Sequence, residues 1–410
     1  MALPNDVEKS GSLKMPEQFN HVENLKAVFV ETEFASSAKK RSKWGRLIDA
    51  SSRQFSSAEV GRKRAWYARG VFVLALFSLV GAIAFLIYIS LVMALLHRLS
   101  PVMPHNGVEQ ILSEWKEPAS ASAMQTSWLP NFSTGIAPKP IHSHNDYSRD
   151  IPLFRALSVG CTSVEADIWL IDDDLQVGHT RRALRPARTL QSLYLNPIMN
   201  ILNSQNKQNP NVNISEPFIG VFNHSPRESL ILLLDFKRNA DMLFPLVMAQ
   251  LAPFREAGYL TRYDGSKIVQ APLTIVASGE ASTRLDLMST SNGTIFADAP
   301  LIDLAQPDSP YNFTNSFYAS APIEGALHSK IPVGGMTRPQ KSIVQDLVKQ
   351  AQMKGLRARF WATPSWPVSL RHRVWKQLER SQVGMLNVDD VRVAAMWNWE
   401  WCVVAGVRLC

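Results

Sequence analysis

Cysteine is scarce: the 410 residues hold only Cys161, Cys402 and Cys410. Three thiols, odd in number, do not make a disulfide framework, and no zinc-finger spacing occurs. Cys161 follows Gly160 at the start of an apolar run and reads as a small buried hydrophobe, not a reactive thiol. No Gly-rich turn follows the first strand-like run, which argues against a dinucleotide-binding open sheet. No internal repeat is present. The formal net charge is +8, yet no basic stripe runs along a folded-looking segment, so nucleic acid is not an expected partner.

Charge is absent altogether from residues 70–96, GVFVLALFSLVGAIAFLIYISLVMALL. A helix rising ~1.5 Å per residue needs only ~20 residues to cross ~30 Å of hydrocarbon. The run therefore predicts one transmembrane helix; it is too long, and begins too far from Met1, for a cleaved signal peptide. Between Lys39 and Arg69 stand ten Lys and Arg against Asp49 and Glu59, whereas the other flank turns weakly acidic. This asymmetry predicts a cytosolic N-terminal side and a C-terminal domain that is lumenal or otherwise extracytoplasmic. Residues 1–69 are polar and basic and read as a disordered tail whose basic run suits anionic lipid heads. Early acids (Asp6, Glu8, Glu17, Glu23) do not suit a mitochondrial transit peptide. Residues 97–135 read as a linker with one amphipathic patch, Val108 to Trp115. Five Asn-X-Ser/Thr sequons, at Asn131, Asn213, Asn223, Asn292 and Asn312, lie beyond the span, as a glycosylated lumenal domain allows.

From about residue 136 to 410 the texture changes. Short, nearly continuous apolar runs (139–142, 162–169, 230–236, 273–277, 294–297, 316–319, 357–361, 384–388) alternate with helical patterns (152–159, 190–203, 241–257, 340–353, 369–380). Apolar strands alternating with helices imply a parallel sheet covered on both faces. About eight such units predict an α/β fold of the TIM type, a (β/α)8 barrel.

The active site of such a barrel lies at the C-terminal ends of its strands. The first run ends in HSHNDY, residues 142–147, with His142, His144 and Asn145. In SVEADIWLI, residues 163–171, Glu165 and Asp167 sit two apart and share one face. Two adjacent carboxylates repel unless a cation lies between them. A hard divalent cation with oxygen ligands, Mg2+ or Ca2+, is one explanation, and a Lys or Arg from a neighbouring strand is the other. Asp172 to Asp174 read as a solvated turn between two short strands, and His179 follows the return strand. In SLILLLDFK, Asp235 and Lys237 share one face at the end of five aliphatics. Asn387, Asp389 and Asp390 end the last run, with Asp390 placed to cap the next helix.

These residues, in this order, resemble the phosphatidylinositol phospholipase C-like phosphodiesterase superfamily, which includes glycerophosphodiester phosphodiesterases and sphingomyelinase D enzymes. Within it, HSHNDY, SVEADIWL, VGHT and TLQSLYLNPI are similar to the fungal altered inheritance of mitochondria protein 6 family of single-pass membrane proteins. The resemblance covers roughly residues 136–400. It implies a membrane-anchored, metal-dependent phosphodiester hydrolase acting on a lipid-derived phosphodiester. Glu165, Asp167 and Asp235 would be the metal ligands, His144 and His179 the acid/base pair, and Lys237 a phosphate contact. Asn145 and Trp361 are expected on the substrate side. One departure is plain: glycerophosphodiesterases carry His-Arg-Gly where this chain has His144-Asn145-Asp146, so their phosphate-contacting arginine is missing here. Two other readings stand beside this one. A zinc amidohydrolase would also use His-X-His at the first strand. A barrel that only binds a phospholipid headgroup or a protein partner would need no turnover.

Overall fold

The computed structural model describes residues 43–99, 104–117, 131–207, 218–396, 403–404 and 407–408. The tail 1–42, residues 118–130, the sequon at Asn213, and Cys402 and Cys410 lie outside the described residues. The chain divides into two units, residues 1–101 and 102–410.

The first unit contributes one helix, Lys43–Leu99, of 57 residues. Its segment Glu59–Leu96 contains an 18-residue stretch of mean hydropathy 2.7 and is long and apolar enough to cross a membrane. The helix begins far upstream of the apolar run, so residues 43–69, expected to be disordered, are helical instead. No proline interrupts 43–99, and Arg, Ala and Lys, all good helix formers, recur through 43–69.

The second unit is a closed barrel of eight parallel strands. In chain order they are β1 (Lys139–Ser143), β2 (Cys161–Ile171), β3 (Leu230–Phe236), β4 (Leu273–Gly279), β5 (Ile295–Pro300), β6 (Ser316–Pro322), β7 (Arg357–Trp361) and β8 (Met385–Val388). Each pairs with the next, and β1 closes the ring by pairing with both β2 and β8. All eight coincide with the runs expected from sequence. β2 continues past the barrel wall and turns back as the short strand Asp174–Val177. Asp172 and Asp173, both at positive φ (48° and 62°), form the two-residue turn. The returning chain is pinned to β2 by the Gly178 N–H, which donates to the Asp167 carbonyl at 3.1 Å.

Side-chain alternation divides the strands into an outer and an inner set. Leu230, Leu232, Leu234 and Phe236 of β3 join the main core under the helices, as do Val164, Ala166 and Ile168 of β2. Ile231 and Leu233 instead meet Val276, Tyr318 and Met385 in a separate apolar cluster inside the barrel. Continuing that inner row toward the C-terminal mouth brings Asp235 on β3, and the same parity brings Glu165 and Asp167 on β2. The lumen therefore has an apolar floor and a polar top.

Two expectations acquire detail. Within the stretch read as linker, Gly107–Glu114 is a helix capped by Asn106, whose Oδ1 accepts from the Glu109 N–H. Val108 and Ile111 are buried in the main core, and Trp115 lies 5.7 Å from Phe154 between ring centroids. The amphipathic patch thus packs on the barrel. Cys161 is fully buried, and burial pushes its thiol up, so it behaves as a small hydrophobe.

Candidate active site

A cavity of about 460 Å³ opens at the C-terminal ends of the strands. It is lined by His144, Asn145, Glu165, His179, Asp235, Lys237 and Trp361, all of which sequence placed in the site. Asp167, fully buried, lies behind the lining and touches Lys237. A smaller cavity of about 210 Å³ lies around the N-terminal ends of β3, β4 and β7, near Ser229, Thr274 and Arg357. It holds no comparable cluster of carboxylates and histidines.

Register assembles the acidic group. Asp167 and Asp235 are directly paired across β2 and β3. One carboxylate oxygen from each of Glu165, Asp167 and Asp235 lies within 4.8 Å of the others. The Lys237 ammonium stands 2.7 Å from Asp167 Oδ2 and 2.7 Å from Asp235 Oδ2. Both explanations weighed for the carboxylate pair therefore meet here, a lysine partner and a cluster that could hold a metal ion. Burial, then the charges of Glu165 and Asp235, push Asp167 up to about 6. Burial likewise raises Asp235, with Lys237 working against it. Burial opposes the charge of Lys237, but the two aspartates more than offset it and raise its pKa. One lysine thus leaves the cluster under-neutralised. Asp167 Oδ1 is buried and has no hydrogen-bond partner among the described residues. An orphaned carboxylate oxygen among oxygen donors fits a hard divalent cation.

The two histidines of HSHNDY sit in different surroundings. His142 is on β1 and fully buried. Its Nδ1 is 2.7 Å from Ser163 Oγ, and its Nε2 is 3.2 Å from Glu165 Oε2. Tyr318 Oη donates to Ser163 Oγ at 3.0 Å. Burial and then the Arg359 charge push His142 down to about 4, so the ring is neutral at neutral pH. The chain of donors then has one consistent direction, Tyr318 to Ser163 to His142 Nδ1, with the Nε2–H donated to Glu165. Burial disfavours ionised Glu165, yet the hydrogen bond from His142 and the nearby Arg359 and His144 charges hold its carboxyl well below the usual range. His144 lies just past the end of β1. Its Nδ1 is 2.7 Å from Asp389 Oδ1, and its Nε2 is 3.9 Å from Glu165 Oε2. Burial opposes its protonation, but Asp389 and Glu165 together raise its pKa. Both Nε2 atoms thus face Glu165 Oε2, but only His144 of the pair lines the cavity, and His224, His328 and His372 do not.

His179 follows the return strand, with its side chain 65% exposed. Its Nδ1 is 3.2 Å from Tyr147 Oη and 3.4 Å from Asp167 Oδ2. Tyr147 Oη is also 2.6 Å from Asp167 Oδ2 and 2.5 Å from Asn145 Oδ1. Asn145 itself sits at φ 48°, a left-handed conformation that asparagine tolerates. Its N–H donates to Glu165 Oε2 at 3.2 Å. Asp390 caps the helix Val391–Ala395 through the Val393 N–H, as expected.

Sequence reasoning missed two residues. Tyr147 lay inside the quoted motif but carried no assignment. Arg359 on β7 lines the cavity while almost fully buried, donating to Asp298 at 2.8 Å, Asn387 at 2.8 Å and Ser320 at 2.9 Å. A charged residue between Ala358 and Phe360 in a buried strand was the available signal. Arg359 puts a guanidinium in the site from a strand remote from the His-Arg-Gly position.

A family model described as AIM6-like phosphodiesterase domain matches residues 130–298, from just before β1 into β5. The parallel barrel with this carboxylate cluster at its mouth is thus a phosphodiesterase-like domain. Over 270 residues the chain is 37% identical to an altered inheritance of mitochondria protein 6 homolog from Arthroderma benhamiae, covering 63% of this chain and 84% of that protein. It is 34% identical to altered inheritance of mitochondria protein 6 of Lachancea thermotolerans over 311 residues, 67% of this chain and 71% of that protein. For the Saccharomyces cerevisiae protein of the same name (strain YJM789), identity is 33% over 288 residues, 66% and 73% of the two chains. The chain belongs to the altered inheritance of mitochondria protein 6 family. No solved structure matches it at a significant level.

Proposed function

We propose that the barrel is a metal-dependent phosphoric diester hydrolase, tethered to a membrane by the helix Glu59–Leu96 and acting on a lipid-derived phosphodiester. The observation that carries this reading is the buried, unpartnered Asp167 Oδ1 inside a cluster of three carboxylates, with His144 3.9 Å from Glu165 and His179 3.4 Å from Asp167. Glu165, Asp167 and Asp235 would hold a Mg2+ or Ca2+ ion, whose charge would polarise the phosphodiester oxygens and offset developing charge. His144 gives a proton to the leaving oxygen; Asp389, 2.7 Å away, holds its imidazolium in place. His179 takes the proton of the attacking hydroxyl, either water or a neighbouring hydroxyl of the substrate. Lys237 faces the phosphate, and Asn145 and Trp361 contact the rest of the substrate.

The basic flank before the span supports a cytosolic N-terminus and an extracytoplasmic barrel. Asn131 and Asn292 are exposed and suit glycosylation there. Asn223 suits it less, because its Oδ1 accepts from the Ser133 N–H at 2.7 Å.

The test is turnover of phosphodiester lipids by the full chain in nanodiscs, with Mg2+ or Ca2+ and then with chelator. Chelator-sensitive hydrolysis is expected. No turnover on any phosphodiester lipid would favour a second reading, a barrel that binds a headgroup without cleaving it. One observation supports that alternative: Lys237 already bridges two of the three acids.

A further inference from the structure

Tyr147 has a place at the centre of the site that no motif assigned to it. Its single phenolic proton faces two oxygens, Asp167 Oδ2 at 2.6 Å and Asn145 Oδ1 at 2.5 Å. An ionised carboxylate outcompetes a neutral amide carbonyl for one proton, because the charge-assisted bond is roughly twice as strong. With the proton donated to Asp167, the phenolic oxygen has only lone pairs left to offer. The group facing those lone pairs is His179 Nδ1, at 3.2 Å. A favourable contact requires that nitrogen to carry hydrogen.

We propose that Tyr147 is a positioning residue: its phenol donates to Asp167 Oδ2, accepts the Nδ1–H of His179, and so leaves the His179 Nε2 lone pair free to take a proton. The direct approach of His179 Nδ1 to Asp167 Oδ2 is longer, 3.4 Å, and that oxygen already receives Tyr147 and the Lys237 ammonium. The phenol therefore supplies what the crowded carboxylate cannot. A histidine this exposed has few other restraints, so one hydrogen bond decides which nitrogen is available. The inference rests on His179 being a proton-transfer residue, but the tautomer can be read without any turnover.

The experiment is nitrogen NMR of the full chain, ¹⁵N-labelled at histidine, in detergent micelles, with the His179 signals identified by their loss in His179→Gln. Wild-type His179 is expected to be protonated at Nδ1 when neutral, and in Tyr147→Phe the population should shift toward protonation at Nε2. Where a phosphodiester is turned over, Tyr147→Phe should lower kcat about ten- to a hundredfold with KM unchanged. A wild-type His179 protonated at Nε2 overturns the proposal and needs no variant to fold. So does an unchanged Nδ1–H tautomer in Tyr147→Phe, since the 3.4 Å contact to Asp167 would then suffice. A tautomer shift without hydrolysis of any phosphodiester would leave the role of Tyr147 standing and remove the hydrolase reading.

Discussion

Lys237 and Asp167 form an ion pair of 2.7 Å at the base of the cavity, although neither neighbours the other in sequence. The same ammonium meets Asp235 at equal distance, so one side-chain cation serves two acids. Lys237 therefore competes with any metal ion for their charge. Lys237→Met is expected to tighten Mg2+ or Ca2+ binding by at least about tenfold, by calorimetry, while abolishing turnover. Unchanged affinity would mean that the lysine does not compete with the ion, and weaker affinity that it supports it.

His179→Ala should cost at least ~10²-fold in turnover. The ring is largely exposed, so the thermal midpoint of unfolding should hardly move. A folded variant with wild-type rates would remove His179 from the chemistry.

Gly279 ends β4 at φ +65°, and a Cβ there would stand 2.0 Å from Asp235 Oδ1. Gly279→Ala must displace that carboxylate, so metal-dependent activity should fall by about tenfold or more, with lost stability of roughly 1 kcal/mol or more. Gly265 is the control: φ is +95° and no atom lies within 4 Å of the added carbon. Gly265→Ala shares the backbone strain and should leave activity intact.

Arg359 and Asp298 are an almost fully buried pair, 2.8 Å apart. Arg359→Met leaves the Asp298 charge without its cation and is expected to destabilise the barrel by about 3–5 kcal/mol. Adding Asp298→Asn should recover much of that loss in denaturant unfolding. If the double variant is no more stable than the single one, the pair is not the source of the effect.

The barrel was readable because its strands are nearly all apolar, and β3 and β4 can serve as such only in a sheet covered on both faces. Period-two parity put Glu165 with Asp167 on one face of β2, and the structure turns that face inward together with Asp235 of β3. The partners of His142 and His144 were not readable. Two residues apart, both rings face Glu165, but β1 ends at Ser143, so His142 is sealed against Ser163 while His144 reaches Asp389 at the cavity. Arg359 was missed for a different reason. Its partners Asp298, Ser320 and Asn387 come from β5, β6 and β8, and only the side-by-side pairing of those strands with β7 brings them together. The helical residues 43–58 lack an apolar stripe of their own kind to announce them, and they extend the helix that the apolar run defines.

The turn-back of β2 carries a mechanical consequence. Asp167 offers its side chain to the acidic cluster and its carbonyl to the Gly178 N–H, one residue before His179. On the proposed reading, the strand position that would hold a cation also fixes the root of the arm bearing the base. Charge neutralisation and proton abstraction would then share one hinge point, and a change that shifts Asp167 would alter both together.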